Sequence, residues 1–329
     1  MINKLINSIF CIKDGISFEK VALEIFHYQS KHNLVYAEYI KLLGINYKKI
    51  NTVNDIPFLP IELFKTHSII CSDKPEQKIF TSSGTTGSTY SKHYVAELGI
   101  YEESFKKAFQ LFYGDIKKYC IIGLLPSYLE REGSSLVYMV DSLIKESGNA
   151  NSGFYLHNLD ELIEKLDVLE NKQQTTLLMG VTYALLDLAD KIKKPYKNLI
   201  VMETGGMKGK RQEMTRVELH EILSEKFGLS SIHSEYGMTE LLSQAYSKEK
   251  GIFKCPPWMK VMAYDPNDPL DILDTNKSGG INIIDLANIH SCSFIQTRDL
   301  GHVYVDGSFE IHGRFDNSDI RGCNLMMGD

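Results

Sequence analysis

The 329-residue chain has no block of lysines and arginines, no Cys-x-x-Cys pair, and no apolar run near the roughly 20 residues that cross a bilayer. Each absence excludes a class. Without clustered cations, and with a formal net charge of -6, the surface offers no track for a phosphate backbone, so no nucleic-acid partner is expected. The six cysteines, at positions 11, 71, 120, 255, 292 and 323, follow no regular spacing. That fits reduced thiols in a cytoplasmic protein better than a disulfide framework. Cys255, Cys292 and Cys323, with His290, also lack the close ligand pairs of a structural zinc site. The apolar stretch Leu5 to Ile12 is broken by Lys13 and Asp14, so neither an export signal nor a membrane span is expected.

What is present is enough apolar sequence, 43% of the residues, for a core larger than one compact domain needs. Ser17 reads as the cap of a helix through Lys31, and a second periodic run, Leu34 to Leu43, ends at Gly44. Ile56-Pro57-Phe58-Leu59-Pro60 reads as an extended connector, since proline disfavours helix at and before its own position. Apolar runs then alternate with amphipathic ones. Strand-like segments at 119–125, 175–180 and 198–204 are separated by helix-like ones at 134–145, 182–191 and 211–227. Alternation of this kind implies crossover connections and a mostly parallel sheet covered on both faces. Beyond Glu240 the texture becomes β-rich, with strands expected at 259–264, 280–286, 294–297, 302–305 and 309–311, and a hairpin turn at Asp306-Gly307. The expected fold is α/β: an N-terminal helical segment (1–55), an α/β core (56–240) and a β-rich portion with a C-terminal tail (241–329).

Two segments carry the chemistry. Thr81-Ser82-Ser83-Gly84-Thr85-Thr86-Gly87-Ser88-Thr89 holds seven hydroxyl side chains and two glycines, and Lys92 follows. Free backbone N–H groups, hydroxyl donors and a cation suit a polyphosphate; the composition alone equally describes a flexible surface loop. It is not a Walker A loop, because position 89 is threonine where the second glycine would stand. The second segment is Tyr236-Gly237-Met238-Thr239-Glu240, after a strand-like stretch at 230–233. An aromatic ring can stack on a nucleobase, threonine can donate to phosphate, and a carboxylate beside a polyphosphate holds Mg²⁺. The same residues would also make an ordinary turn capped by Thr239. His233 is a candidate for the acid pocket or a hydrogen-bonded strand end. Tyr128 and Arg131 follow a strand C-terminus, where α/β sheets place ligands, so Arg131 either meets a substrate carboxylate or forms a surface ion pair.

Taken together, the stretch Phe80 to Lys92 resembles the Thr-Ser-Gly-Thr-Thr-Gly phosphate loop of the adenylate-forming ligase superfamily, and Tyr236 to Glu240 resembles its adenine and magnesium motif. Thr204-Gly205-Gly206, Gln296-Thr297-Arg298-Asp299-Leu300-Gly301 and Gly313-Arg314-Phe315-Asp316 look like its glycine turn, ribose-binding motif and hinge, in the superfamily's order. Arg298 stands where the superfamily has glycine, and the hinge aspartate comes one position early. Within that superfamily Phe58-Leu59-Pro60-Ile61-Glu62-Leu63-Phe64-Lys65, Leu124 to Arg131 and Asp319-Ile320-Arg321-Gly322-Cys323-Asn324 are similar to the acyl-protein synthetases of bacterial bioluminescence operons, a short form without the superfamily's C-terminal domain.

This resemblance implies an AMP-forming ligase using ATP and Mg²⁺. A carboxylic acid, fatty in that family, would become acyl-AMP and then a thioester on Cys323, with a reductase or carrier protein as onward acceptor. It implies nucleotide-binding roles for Thr81, Ser82, Ser83, Gly84, Thr85, Thr86, Gly87, Gly205, Gly206, Tyr236, Gly237, Asp299 and Arg314. Lys92, Thr239 and Glu240 would be catalytic, Glu240 as the metal ligand, while Tyr128, Arg131 and His233 would contact the acid. With the C-terminal domain's lysine missing, Lys208, Lys210 or Arg211 would supply a cation. The alternatives are a ligase delivering to CoA and a nucleotide-binding subunit without chemistry.

Overall fold

The computed structural model describes residues 2–71, 74–82, 90–126, 133–156, 158–205 and 214–315. A six-stranded sheet forms its centre, in the order Gly153–Phe154, Cys120–Leu124, Thr176–Gly180, Leu199–Glu203, His233–Tyr236 and Ala245–Ser247. The first five strands are parallel and the last is an antiparallel edge. Every residue of Cys120–Leu124 and Thr176–Gly180 is buried, as expected of parallel strands covered on both faces. Helices Leu98–Tyr113, Ser135–Ser147, Thr182–Ala189 and Arg216–Phe227 supply the cover. Helix Leu159–Asn171 joins them, burying Leu162, Leu166 and Leu169 from one stripe.

A second six-stranded sheet comes mostly from the β-rich portion: Met259–Asp265, Asp268–Ile272, Lys277–Asp285, Phe294–Val303 and Phe309–Arg314. Its remaining strand is Leu59–Pro60, the proline-bounded connector, parallel to Phe294–Val303 with Leu59 opposite Ile295. An edge position suits it, because Pro60 has no N–H to donate. The two short strands expected at 294–297 and 302–305 are one strand of ten residues. Arg298 and Asp299 fall where its register against Lys277–Asp285 shifts, between the pairs Gly280–Leu300 and Asn282–Gln296, a bulge that re-aims side chains without ending the strand. Arg298 pairs with Glu62, just beyond Leu59–Pro60, which accounts for a cation where the superfamily has glycine.

The N-terminal helices Ile2–Ile9, Gly15–His32 and Leu34–Leu42 pack on the turn between these strands. Gln29 Nε2 donates to the carbonyls of Asn288 at 2.8 Å and Ile289 at 3.0 Å, and Asn33 Nδ2 donates to that of Ser291 at 2.9 Å. The cap of Gly15–His32 is Asp14 rather than Ser17: the Ser17 N–H donates to Asp14 Oδ1 at 2.8 Å, and Ser17 completes a capping box. Among the described residues no helix is long and apolar enough to cross a membrane.

Candidate active site

The strand His233–Tyr236 divides the site. Successive side chains of a strand point to opposite faces, so Ser234 and Tyr236 face one side while His233 and Glu235 face the other. It starts three residues later than the sequence pattern suggests, because the ladder to Leu199–Glu203 pairs Met202 with His233 and Glu203 with Ser234.

On the first side, the Tyr236 hydroxyl donates to Asp299 Oδ2 at 2.6 Å, and Arg314 Nε donates to Asp299 Oδ1 at 2.7 Å. Three residues separated by up to 78 positions thus form one polar cluster, with the Tyr236 ring packed on Phe309 at 5.3 Å and Phe253 at 5.7 Å. Burial, and then the adjacent Asp299 charge, pushes the Tyr236 phenol up, and the same charge raises the Arg314 guanidinium. A carboxylate has about four lone-pair positions, so Asp299 keeps acceptor capacity for a ligand's hydroxyls. On the same side Gly205, at φ +73°, closes the glycine turn. Its N–H donates to Glu203 Oε2 at 2.7 Å, while Arg216 holds Glu203 Oε1 at 3.1 Å through Nε and the Ile311 carbonyl at 3.0 Å through Nη1. Burial alone would raise the Glu203 carboxyl, but His220, Arg216, Ser234 and the Gly205 amide outweigh it and hold it at about 2. A single guanidinium therefore joins the glycine turn to the strand that ends in Arg314.

Glu240 lies in the turn after strand His233–Tyr236 and is 6% exposed. Desolvation raises its carboxyl, opposed by a hydrogen bond from Ser91 and by the charges of Arg314 and Lys65. His93 Nδ1 lies 2.8 Å from the Thr239 carbonyl, and burial lowers the ring to about 4, so it is neutral and donates there. Ser91 and His93 belong to the hairpin Lys78–Thr81 and Lys92–Val95, in which Thr81 opposes Lys92. Ser82 and Ser91 close its end, the Ser82 N–H donating to the Ser91 carbonyl at 3.1 Å and the Ser91 N–H to Ser82 Oγ at 3.0 Å. The foot of the hydroxyl-rich segment is thereby anchored beside Thr239 and Glu240. Lys92 itself is exposed; it is its neighbours that reach the turn.

On the second side a cleft of about 190 Å³ opens between Thr81, Tyr101, Ser135, Glu235, Thr239 and Gln244, with Gly205 and Gly237 at its rim. A side chain at Gly237 would place Cβ 2.4 Å from Glu235 Oε1, so the glycine leaves the Glu235 carboxyl its present position over the cleft. His233 does not line this cleft: its Nδ1 meets the Tyr113 hydroxyl at 3.1 Å, and burial with the Lys248 charge lowers the ring to about 4. Ser83, Gly84, Thr85, Thr86, Gly87, Tyr128, Arg131, Gly206, Lys208, Lys210, Arg211 and Cys323 lie outside the described residues. The sequence reading missed Ser91, His93, Glu203, Arg216, Glu235 and Gln244. Only the capping-box pattern Thr215 to Glu218, which starts the helix carrying Arg216, gave a local signal.

The sheet brings a glycine turn, an aromatic ring, the buried Glu240 and the Asp299 carboxylate around one strand end, on the fold of the adenylate-forming ligases. Solved structures agree on the fold. The 2-hydroxyisobutyryl-CoA ligase in complex with 2-HIB-AMP and CoA superposes with a TM-score of 0.67 at 13% identity, covering 93% of this chain and 77% of that one. ATP-bound MatB from Rhodopseudomonas palustris gives 0.53 at 17% identity, over 72% of this chain and 47% of that one. The present chain therefore spans about half the length of that MatB chain. Within this class the chain belongs to the acyl-protein synthetase family LuxE, whose family model matches residues 13–329. It is 24% identical over 327 residues to the long-chain-fatty-acid–luciferin-component ligase of Vibrio harveyi, covering 92% of this chain and 85% of that protein.

Proposed function

We propose that the chain uses ATP to activate a carboxylic acid as acyl-AMP and then transfers the acyl group to a protein thiol, Cys323 being its own acceptor. The observation that carries the reading is the joining of Tyr236, Asp299 and Arg314 in one cluster beside the Ser91–Glu240 pair. In the first step a carboxylate oxygen attacks the α-phosphorus and pyrophosphate leaves. Such a step gains most from positioning and from charge placed in advance. Thr81 and Ser82, with the segment Ser83 to Gly87, take the β- and γ-phosphates. Thr239 steadies the α-phosphate, Tyr236 and the glycine turn Gly205-Gly206 bound the adenine, and Asp299 with Arg314 takes the ribose. Lys65 and Arg314, whose charges reach Glu240, supply the positive charge that Lys92, Lys208, Lys210 or Arg211 would otherwise bring.

Glu240 fits Mg²⁺. A nearly buried carboxylate, raised by desolvation and bonded by one serine, would hold such a cation against the phosphates of the nucleotide. The ion would neutralise polyphosphate charge.

In the second step the Cys323 thiolate attacks the acyl carbonyl carbon, the C–O bond to phosphate breaks and AMP departs with its electron pair, leaving a thioester. A reductase or carrier would accept the acyl group next. The Vibrio harveyi relative acts on a long-chain fatty acid by its name, and a fatty acid is the first substrate to try here. Intact-protein mass after incubation with MgATP and an acid panel tests the reading. An acyl-sized, hydroxylamine-labile gain in wild type, absent from Cys323→Ser, is the expected result. Acylation that requires added CoA would instead favour a CoA ligase, and nucleotide binding without AMP release a subunit without chemistry.

A further inference from the structure

The cleft beside His233–Tyr236 has a polar floor that none of the proposed roles uses, and it adjoins Thr239, where the adenylation reading puts the α-phosphate and so the attacking carboxylate. Glu235 is 8% exposed and Gln244 4%, and both line the cleft next to Thr239 and Gly205. They meet above Gly237, whose Cβ position would lie 2.4 Å from Glu235 Oε1 and 3.4 Å from Gln244 Cγ. Gln244 Oε1 is buried without a hydrogen-bond partner, and no described residue hydrogen-bonds the Glu235 carboxyl. Leaving a buried acceptor such as Gln244 Oε1 unpaired costs on the order of 1–3 kcal/mol, so a bare acceptor beside an accessible carboxyl in a cleft marks a place where a bound group would be held.

The chemistry of the pair defines that ligand. Burial, reinforced by ionised Glu203 on the neighbouring strand, pushes the Glu235 carboxyl up to about 8, so at neutral pH it carries an O–H donor. Gln244 Oε1 offers only an acceptor. One hydroxyl satisfies both, accepting from the Glu235 O–H and donating to Gln244 Oε1; a methylene satisfies neither, and an ammonium has no lone pair for the Glu235 proton. The cleft's volume of about 190 Å³ is below the roughly 300–1,000 Å³ of sites for drug-sized ligands, and Tyr101 closes its wall as a fully buried ring.

Resting on the adenylation reading, we propose that Glu235 and Gln244 are specificity-determining residues that select an acid bearing a hydroxyl over the unsubstituted chain of the same length. A site built to hydrogen-bond a substrate hydroxyl discriminates strongly against the analogue lacking it. Acid-dependent pyrophosphate release tests this with butyrate against β- and γ-hydroxybutyrate, octanoate against β-hydroxyoctanoate, and β-aminobutyrate, on wild type, Glu235→Gln, Glu235→Leu and Gln244→Leu. Wild type should favour a hydroxylated partner by on the order of 10²-fold in kcat/KM. Glu235→Gln should keep most of that ratio, and either leucine variant should bring it within a few-fold of parity. Equal rates in wild type, a preference for the amino acid, or a ratio unchanged in both leucine variants overturns the proposal. If no acid releases pyrophosphate the adenylation reading fails; calorimetric binding of the same pairs then reads the ratio alone, and equal affinities overturn the selectivity independently.

Discussion

Arg216→Ala is the perturbation whose consequences the structure specifies most fully. It removes the 3.1 Å donor to Glu203, a carboxylate 2% exposed, together with the 3.0 Å donor to the Ile311 carbonyl and the guanidinium 5.0 Å from the Phe253 ring. A hydrogen bond to a charged partner contributes about 1.5–3 kcal/mol and a neutral one about 1 kcal/mol. The cation–π contact adds about 0.5–1 kcal/mol. Arg216 is 26% exposed, so water replaces part of what is lost, and about 3 kcal/mol is expected, at the low end for breaking a buried pair. Urea unfolding at pH 7 measures this. The pH dependence supplies a second readout. Glu203 is held at about 2, below its ordinary value of 4.5, so its stabilisation is present above about 4.5 and disappears as pH falls through 2. Without Arg216 the folded value rises, so the contribution is smaller and its loss is complete at higher pH. Because the same guanidinium ties Gly205 to the strand leading into Arg314, KM for ATP should rise about tenfold, the equivalent of ~1.4 kcal/mol. Arg216→Lys should not restore it, since a single ammonium does not span both acceptors. A variant within 0.5 kcal/mol of wild type, with unchanged KM, would refute the clasp.

Gly301→Ala should weaken the same strand from the other side. Its Cβ would stand 2.1 Å from the backbone oxygen of Glu310, so Phe309–Arg314 must shift; a loss of about 2–4 kcal/mol in unfolding free energy and weaker ATP binding are expected. Asp299→Asn keeps the size but removes the charge that Arg314 and Tyr236 share, and fluorescent-nucleotide titration should show ATP affinity reduced about tenfold or more. Glu235 gives a stability signature of opposite sign to Glu203. Folding raises its carboxyl from the ordinary 4.5 to about 8, so between those values the folded state holds a proton the unfolded state lacks. This group's contribution therefore decreases as pH rises, by up to about 1.4 kcal/mol per pH unit, and Glu235→Gln should flatten that slope in urea titrations run from pH 5 to pH 8.

The parallel core is legible because its strands are continuous apolar runs. Cys120–Leu124, Thr176–Gly180 and Leu199–Glu203 each lie within a residue of the expected segment, since burial on both faces leaves no alternation to misread. Helix Leu159–Asn171 is passed over by the alternation scheme, although Leu162, Leu166 and Leu169 recur at helical spacing. Asp268–Ile272 is almost wholly exposed and so carries no burial pattern. The pairing of Leu59–Pro60 with Phe294–Val303 depends on contact between residues over 200 positions apart, which no local pattern encodes. The same holds for the site. Tyr236, Thr239, Glu240, Asp299 and Arg314 are readable as motifs because each sits in a short recognisable string. Glu203, Arg216 and Ser91 act only through partners brought up by the fold. Glu235 lies directly beside the motif, yet its role depends on which way the strand faces, and that register is set by pairing with Met202 and Glu203.

The measurement that bears most directly on the central claim is acid-dependent exchange of labelled pyrophosphate into ATP, in wild type and in Glu240→Gln. Reversible formation of acyl-AMP at this site predicts exchange in wild type only when acid is present, with the rate lowered about 10²-fold or more in Glu240→Gln. Exchange that is independent of acid, absent with every acid, or undiminished in Glu240→Gln would contradict it.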